Sequence, residues 1–339
     1  MNIPTATPSA PAMLRLRDLW HMLTVNRKVS IGLGILIFFV LLAIFGPLLF
    51  RQDPNAFSTD VLQPPSAAHW LGTTQTGQDV MTQVVVGTRL SLFMGFGIGI
   101  MTMIISVILG LMSGYYGGWI DEVLSLFTNV FLVLPTLPLT ILLAAFIAYK
   151  GPLTIAIVLT ITGWSWGARV LRAQTLSMRN RECIEAARAT GESSLRIIFF
   201  EILPNEIAIV AAQLLGTVIY AILAETGLEF LGLGDITSTS WGNMLYWAAN
   251  NDALLLGAWW WFLAPGLCIA ILGAGLAFIN FGIDEIANPR LRKESPSKLT
   301  RRKKLKNKPE LPGRQNIAYP EQDGMRETSQ ATSTSSSSQ

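Results

Sequence analysis

The sequence predicts an all-α membrane protein with six transmembrane helices and with both termini in the cytosol. Three observations support this fold class: an apolar composition, long stretches without charged residues, and an uneven distribution of lysine and arginine. Of the 339 residues, 51% are hydrophobic and only 14% are charged, whereas about 25% are charged in an ordinary soluble domain. This composition excludes a disordered chain, a collagen-like repeat and a disulfide scaffold.

Uncharged stretches long enough to cross a bilayer locate the predicted helices. A spanning helix needs roughly 20 mostly apolar residues. The stretch between Asp60 and Asp79 is uncharged too, but it is rich in Pro, Thr, Gln and Gly. It predicts a loop, because lipid cannot satisfy an irregular backbone. The six predicted helices lie at about residues 30–50, 90–112, 123–148, 152–171, 207–225 and 258–282.

The basic residues predict the orientation, because lysine and arginine concentrate in the cytosolic loops of membrane proteins. An N-in, C-in arrangement leaves only Arg51, Arg89 and Lys150, of 25 basic residues, outside or at the outer boundary. The opposite orientation would place nearly all of them outside. The first apolar stretch exceeds the 7–15 residues of a usual signal-peptide core, so it predicts a retained membrane anchor.

These assignments divide the chain into parts. A basic, Ser-rich tail follows the last helix, and its composition predicts disorder. The parts are a cytosolic N-terminal segment 1–29, a first transmembrane helix 30–50, an external loop 51–88, a five-helix core 89–285 that contains an internal loop 172–206, and a cytosolic tail 286–339.

The loop 172–206 carries two predicted short helices. Residues 182–189 are strong helix formers, and Gly191 can adopt the left-handed conformation that ends such a helix. Serine caps, an apolar face and a closing proline predict the second helix: Ser193, Ser194, Leu195, Ile197, Ile198, Phe199 and Pro204. Two amphipathic helices bent at a glycine suit docking into a groove on a soluble partner. A helix lying at the membrane interface would share this pattern.

Several short sequence motifs are spread along the chain. The internal loop contains Glu185-Ala186-Ala187, then Gly191, then Ile202-Leu203-Pro204-Asn205. The other motifs are His69-Trp70-Leu71-Gly72-Thr73, Thr76-Gly77-Gln78-Asp79-Val80, Phe230-Leu231-Gly232-Leu233-Gly234, Trp241-Gly242-Asn243-Met244-Leu245 and Asn288-Pro289-Arg290-Leu291-Arg292. The loop motif resembles the EAA loop of ABC-importer permeases, and the set resembles the dipeptide/oligopeptide/nickel permeases. A single first span followed by a short external loop is similar to the second, or C-type, permease of that family.

The resemblance implies a type I ABC-importer permease fold, a multi-pass location in the inner membrane and a non-catalytic role in translocation. It implies as partners a second permease subunit, forming a heterodimer, two cytosolic ABC ATPase subunits and an extracytoplasmic solute-binding protein, with no nucleic acid. The sequence lacks G-x-x-x-x-G-K-[ST], so we expect ATP and Mg on the partner subunits and no cofactor on this chain. Di- or oligopeptides are the expected solute, and nickel and oligosaccharides remain alternatives. The residues expected to couple to the ATPase are Glu185, Ala186, Ala187, Gly191, Leu195, Ile198, Leu203 and Pro204.

Three residues are candidates for the translocation path. Glu225 and Glu229 lie four apart on one face of the fifth predicted helix, and ionisable groups near a membrane are functional candidates. They could hold a substrate amino group. The alternative is a solvated helix end, or ion pairs with Arg89 or Lys150. Pro135 would kink the third helix and so open a cavity.

Other functions have less support in the sequence. Ion-coupled secondary transporters usually carry acids or broken helices at the membrane midplane, and the predicted spans other than the fifth contain no acid at depth. Two cysteines and two histidines make a poor ligand set for a structural metal: Cys183, Cys268, His21 and His69. The glycines of the second span, at 95, 97, 99, 110 and 114, fit close helix packing better than a pore lining.

Overall fold

The structure, a computed structural model, describes residues 27–50 and 52–287. Within these residues the only extended pairing is one bridge between Thr73 and Asp79. Five helices are long and apolar enough to cross a membrane, and a bent helix pair supplies a sixth span. The predicted all-α transmembrane fold is confirmed. Most of the predicted N-terminal segment, Arg51, the motif at 288–292 and nearly all of the predicted tail lie outside the described residues.

The helices carry the following bounds in chain order. They are α1 Arg27–Leu49, α2 Val80–Tyr116, α3 Gly118–Val133, α4 Thr136–Phe146, α5 Pro152–Met178, α6 Glu182–Ala189, α7 Ser194–Arg196, α8 Leu203–Phe230, α9 Trp241–Asn250 and α10 Trp259–Ala287, with a π-helical segment Ile197–Ile202 between α7 and α8.

Helix α2 is the central element, because it packs against α1, α5 and α8, while α10 packs against α1 and α8. It begins at Val80, well before the predicted start near residue 90. The carboxylate of Asp79 caps it and accepts a hydrogen bond from the Thr82 amide at 2.8 Å. Its 37 residues correspond to about 55 Å, so α2 extends beyond a bilayer core of about 30 Å.

The third span is not one helix as predicted. Helices α3 and α4 meet at 90°, and the break lies at Leu134 and Pro135. Leu134 has an extended backbone with ψ 130°, because proline disfavours the helical conformation in the residue before it. Pro138 falls in the first turn of α4, where an amide has no intrahelical partner to lose.

Pro204 does not end a helix as predicted. Residues 194–230 form one continuous helical segment, with Pro204 in the first turn of α8. The π-helical stretch makes this continuity feasible, because its wider turn shifts the hydrogen bonds, and the Leu203 amide donates to the Ile198 carbonyl five residues earlier. Pro204 comes immediately after Leu203 and has no amide hydrogen, so it donates no hydrogen bond within this turn.

Glycines allow close packing of α2, as the sequence predicts, with one exception. A Cβ atom on Gly110 would lie 2.8 Å from the Ala168 carbonyl oxygen, and one on Gly114 would lie 2.9 Å from the Arg172 carbonyl oxygen, both on α5. A Cβ atom on Gly95 or on Gly99 would likewise lie too close to a side chain of α8. Gly97, in contrast, faces open space.

The two ends of the helix bundle are each fastened by charged groups. At the predicted cytosolic end, Asp121 of α3 accepts from the guanidinium of Arg172 at 2.5 and 2.7 Å. The hydroxyls of Ser113 and Ser125 donate to the same carboxylate. Because Ser113 belongs to α2 and Arg172 to α5, this cluster joins three helices.

At the predicted external end, His69 fastens the loop before α2. Its Nδ1 lies 3.0 Å from the capping carboxylate of Asp79, and its Nε2 lies 3.5 Å from Asp60. Because both ring nitrogens face carboxylates, the doubly protonated imidazolium satisfies both. The hydrogen bond to Asp79, aided by Asp60, raises the pKa of His69 above 6.5 although burial opposes the shift. The histidine therefore has a structural role in the loop, as the sequence indicates.

A pH dependence follows from the raised pKa of His69. Protonated His69 stabilises the folded loop, so its contribution is complete below pH 6.5 and is lost as the pH rises through the raised folded-state pKa. We expect His69→Asn to unfold at a lower temperature than wild type between about pH 5 and 6.5, where the contribution of protonated His69 is complete. This difference in unfolding temperature between wild type and variant should disappear at higher pH. Thermal unfolding in detergent at a series of pH values measures it, and a gap independent of pH would contradict this role.

Candidate functional site

A glycine-ended helix shapes the internal loop. Helix α6 covers Glu182–Ala189, as predicted, and Gly191 follows it with φ +81°. The Gly191 amide donates to the Arg188 carbonyl at 3.0 Å, and the Glu192 amide donates to the Ala187 carbonyl at 3.2 Å. This pair of bonds is a Schellman motif, which requires a left-handed residue at the position of Gly191. The sequence prediction for this bend is confirmed.

The short helices are anchored to the predicted cytosolic end of α2. Ile184, Ile197 and Ile198 are buried in one apolar cluster with Leu111 and Tyr115 of α2. Such a cluster fixes the position of α6 relative to α2, because buried apolar groups are close-packed.

Arg188 adds a polar contact to this anchor. Its guanidinium carbon lies 4.7 Å from the centroid of the Tyr115 ring, and its Nε donates to the Tyr115 hydroxyl at 3.3 Å. The segment Glu182–Ile202, which we call the loop unit, is therefore packed against the end of α2.

The predicted coupling residues divide by burial. Ile198 is 1% exposed and belongs to the internal cluster, so it is not available to a partner. Ala187 and Leu203 are partly buried and pack against the same cluster. The remaining residues are exposed on the loop unit or next to it: Glu185, Ala186, Gly191, Leu195 and Pro204. Ser193 precedes the second helix but makes no side-chain cap.

A cavity of about 510 Å³ lies between the transmembrane helices. It is next to the central turns of α5 and α8, and the α3–α4 break forms one wall through Leu132 and Thr136, on either side of Pro135. Pro135 itself does not line the cavity. The other lining residues are mostly small, polar or aromatic: Thr162, Gly163, Ser165, Trp166, Gly167, Ala212, Gln213, Gly216, Thr217, Tyr220 and Asn280.

Several polar side chains at this cavity have buried atoms without a hydrogen-bond partner in the described structure. They include both amide atoms of Gln213, the hydroxyl of Tyr220 and the amide oxygen of Asn280. Most buried polar atoms in proteins are paired, so each exception needs an explanation. The charge pattern of the sequence gives no sign of these residues, because all are neutral. Their i, i+7 spacing on α8 is the only signal that could have found Gln213 and Tyr220.

One enzyme-like pattern occurs in the cavity wall. Gly163-Trp164-Ser165-Trp166-Gly167 matches G-x-S-x-G, which in hydrolases places a serine on a sharp turn between a strand and a helix. Here the five residues lie inside the continuous helix α5. Ser165 is therefore a helical wall residue, and the geometry of a nucleophile elbow is missing at this position.

Glu225 and Glu229 lie near the other end of α8 and are buried, at 0% and 1% exposure. The alternative of a solvated helix end is therefore wrong. Neither residue pairs with Arg89 or Lys150 among the described ion pairs, and Lys150 donates instead to a backbone carbonyl of α4. Neither glutamate lines the cavity between α5 and α8.

The carboxylate of Glu229 holds helix α9 in place. It accepts a hydrogen bond from the hydroxyl of Ser240, which in turn accepts from the Asn243 amide at 3.1 Å and caps α9. A Cβ atom on Gly242 would lie 2.5 Å from the same carboxylate. Ser240 also lines a second cavity of about 520 Å³, at the predicted external end. Glu229 thus fixes an element beside that cavity.

Comparisons with known proteins agree with this architecture. The family described as "Binding-protein-dependent transport system inner membrane component" matches residues 106–293, and "N-terminal TM domain of oligopeptide transport permease C" matches residues 15–65.

Individual relatives match most of the chain. The dipeptide transport system permease protein DppC of Bacillus subtilis is 36% identical over 84% of this chain and 88% of its own length. The oligopeptide transport system permease protein OppC of the same organism is 34% identical over 83% and 90%. The probable D,D-dipeptide transport system permease protein DdpC of Escherichia coli is 33% identical over 76% and 85%. The chain therefore belongs to the family of inner-membrane permease components of binding-protein-dependent ABC importers, and it is a multi-pass protein of the inner membrane.

Proposed function

We propose that this chain is the second, C-type permease of a heterodimer that imports di- or oligopeptides into the cytosol, driven by ATP. Family membership supports an importer over an ion-coupled transporter. Relatives named for dipeptide and oligopeptide transport favour peptides over nickel or oligosaccharides. An extracytoplasmic solute-binding protein would deliver the solute to the predicted external end. This chain would act without catalysis and without a cofactor.

The loop unit is the observation that carries this proposal. It presents exposed residues away from the bundle, while its buried isoleucines are fixed to the end of α2. Helix α2 packs against α5 and α8, whose central turns line the cavity. A force on the loop unit therefore reaches the cavity wall through packed helices, since packed interfaces transmit displacement. Such a connection is what alternating access requires.

Two cytosolic ATPase subunits would bind ATP and Mg, and one of them would dock on the loop unit. Glu185, Ala186 and Leu195 form the proposed contact surface, because they are exposed on α6 and α7. Small and apolar side chains on short helices fit a groove on a partner. Ile198, which packs inward, would support this surface without touching the partner.

Co-purification with matched variants tests the docking surface. Leu195 and Leu255 are both exposed leucines, at 59% and 86%, but they lie at opposite ends of the bundle. We expect wild type and Leu255→Asp to retain both ATPase subunits and the second permease. Leu195→Asp should lose at least the ATPase subunit that docks on the loop unit and should keep the second permease. Retention of ATPase in normal amounts by Leu195→Asp would contradict docking at this surface.

Cysteine labelling tests the proposed orientation. Thr237 is exposed in the segment between α8 and α9, and the native Cys183 is exposed on α6. We expect an impermeant reagent to label Thr237→Cys in intact cells, in a Cys183→Ser background. Cys183 of the wild type should react only after the membrane is permeabilised. The reverse pattern would show that the N-in, C-in assignment is wrong.

A further inference from the structure

Two carboxyl groups of α8 are buried together without a basic partner. Glu225 and Glu229 are 0% and 1% exposed, and their side chains interact directly across one turn of the helix. Among residues 27–50 and 52–287, no ion pair includes either glutamate. Two like charges in contact away from water do not both stay ionised. The pair therefore holds either a proton or a cation.

The surroundings of the pair favour a proton over a metal ion. A calcium ion takes about six to eight oxygen ligands, but in the part of the chain that the structure describes no group of three or more His, Cys, Asp or Glu side chains could hold a metal. Neither glutamate lines the cavity between α5 and α8 or the external cavity. A Cβ atom on Gly242 would lie 2.5 Å from the Glu229 carboxylate, so the start of α9 already fills the adjacent space.

The hydrogen-bond donors around the pair indicate which carboxyl carries the proton. The Ser240 hydroxyl donates to Glu229, and the Asn243 backbone amide also interacts with this carboxylate. Such donors stabilise the ionised form. Glu225 has the Thr226 hydroxyl at 3.5 Å from one oxygen, and its Oε1 atom has no partner in the described structure. Glu225 is therefore the neutral acid, and its hydroxyl can donate to Glu229.

The other charged groups near this end of α8 do not offset a second negative charge. Helix α9 has no charged residue, and the one charged residue of α2, Arg89, is exposed. Asp235, between α8 and α9, adds a negative charge close to Glu229. The side chains of α2 and α5 that pack against this part of α8 are apolar: Met94, Ile98, Ile155 and Leu159.

The charge state of the pair bears on the position of α9. The Ser240 hydroxyl connects the Glu229 carboxylate to the first turn of α9, because it also accepts from the Asn243 amide at 3.1 Å. Ser240 and Asn243 both line the external cavity. A second charge on Glu225 would repel the Glu229 carboxylate and weaken its bond to Ser240. A neutral Glu225 instead holds that carboxylate in place.

We propose that Glu225 is a protonated positioning residue, which shares one proton with Glu229 at neutral pH and keeps the Glu229 carboxylate on Ser240. The shared proton fixes the start of α9 and, with it, one wall of the external cavity. The proposal goes beyond the proposed function, because it concerns the folded state of the chain and not the solute that the transporter carries.

The pH dependence of unfolding tests the shared proton. Unfolded glutamate releases its proton above about pH 4.3, whereas the folded pair keeps one. The folding equilibrium constant of wild type should therefore fall by up to about tenfold per pH unit from this source. Glu225→Gln has a neutral amide that still donates to Glu229 but has no proton to release. We expect the unfolding temperature of wild type in detergent to fall relative to that of Glu225→Gln between about pH 6 and 8.

Two further variants complete this comparison. Glu122→Gln, the same change at an exposed glutamate of α3, should follow wild type at every pH. Glu225→Leu removes the donor to Glu229, so it should unfold at a lower temperature than Glu225→Gln. His69 is present in every variant, and its own titration therefore cancels in the comparison.

Infrared absorption of the complete transporter detects the proton directly. At about pH 7, where exposed glutamates are ionised, we expect a carboxylic-acid C=O band that is lost in Glu225→Gln and retained in Glu122→Gln. Parallel pH curves for wild type and Glu225→Gln, or equal carboxylic-acid bands, would overturn the proposal. So would stabilisation by added Ca²⁺ that occurs in wild type and not in Glu225→Gln, because it would place a cation between the carboxylates. Each of these results leaves the proposed function in place.

Discussion

Gly191→Val is expected to reduce transport and stimulated ATP hydrolysis together, by up to about 30-fold. Gly191 has φ +81° and closes the Schellman motif after α6. A non-glycine residue in this conformation costs about 1–2 kcal/mol, which lowers the equilibrium constant between the native bend and its alternatives by a factor of about 5–30. No atom lies within 4 Å of a Cβ at this position. The effect would therefore come from backbone conformation and not from a steric clash.

Gly191→Asn provides the matched control, because asparagine tolerates the left-handed region far better than valine. We expect it to retain most of the activity. ATPase stimulation by the loaded solute-binding protein in reconstituted complexes measures both variants, and subunit stoichiometry shows whether each assembles. Equal losses in Gly191→Asn and Gly191→Val would show that the side chain, and not the bend, is responsible.

Gly110→Val is expected to destabilise the helix bundle itself. A Cβ atom there would lie 2.8 Å from the Ala168 carbonyl oxygen and 2.9 Å from the Leu171 Cβ. The backbone of α5 cannot move aside as a flexible side chain can, so we expect a cost of about 3 kcal/mol, the upper end for overpacking. Transport should be lost, and the thermal unfolding temperature in detergent should fall.

Gly97→Val on the same helix is the control for this prediction. Its Cβ would meet nothing within 4 Å, so we expect a change within about 0.5 kcal/mol, as for other substitutions away from packed contacts. If Gly97→Val lowered the unfolding temperature as much as Gly110→Val, close packing against α5 could not be the cause. Unfolding followed by loss of tryptophan fluorescence distinguishes the two variants.

The sequence predicts the spans and the loop bend well because both depend on local chemistry. Charge-free stretches mark the membrane core, and the helix formers before Gly191 predict α6 and its end. The bend between α3 and α4 is harder to predict. Membrane helices often tolerate proline, and the 90° angle at Pro135 depends on how α4 packs against its neighbours.

Features of the structure that depend on tertiary contacts are not predicted from the sequence. Glu206 directly precedes the uncharged stretch that predicts the fifth span. In the structure its side chain is buried, at 1% exposure, and accepts a hydrogen bond from the Thr175 hydroxyl at 3.2 Å. Pro204 predicts a helix end, but a π-helical turn before it lets the helix continue. Gln213 and Asn280 are neutral, so a search for charged residues in the membrane does not find them.

ATP-driven uptake by the complete transporter tests the central claim most directly. The two permeases and the ATPases are reconstituted in proteoliposomes, and the loaded solute-binding protein is added on the side of Thr237. We predict that peptide accumulates inside only when ATP is present on the side of the loop unit, with or without an ion gradient. Accumulation that follows an imposed ion gradient and ignores ATP would contradict the assignment of this chain to an ATP-driven importer.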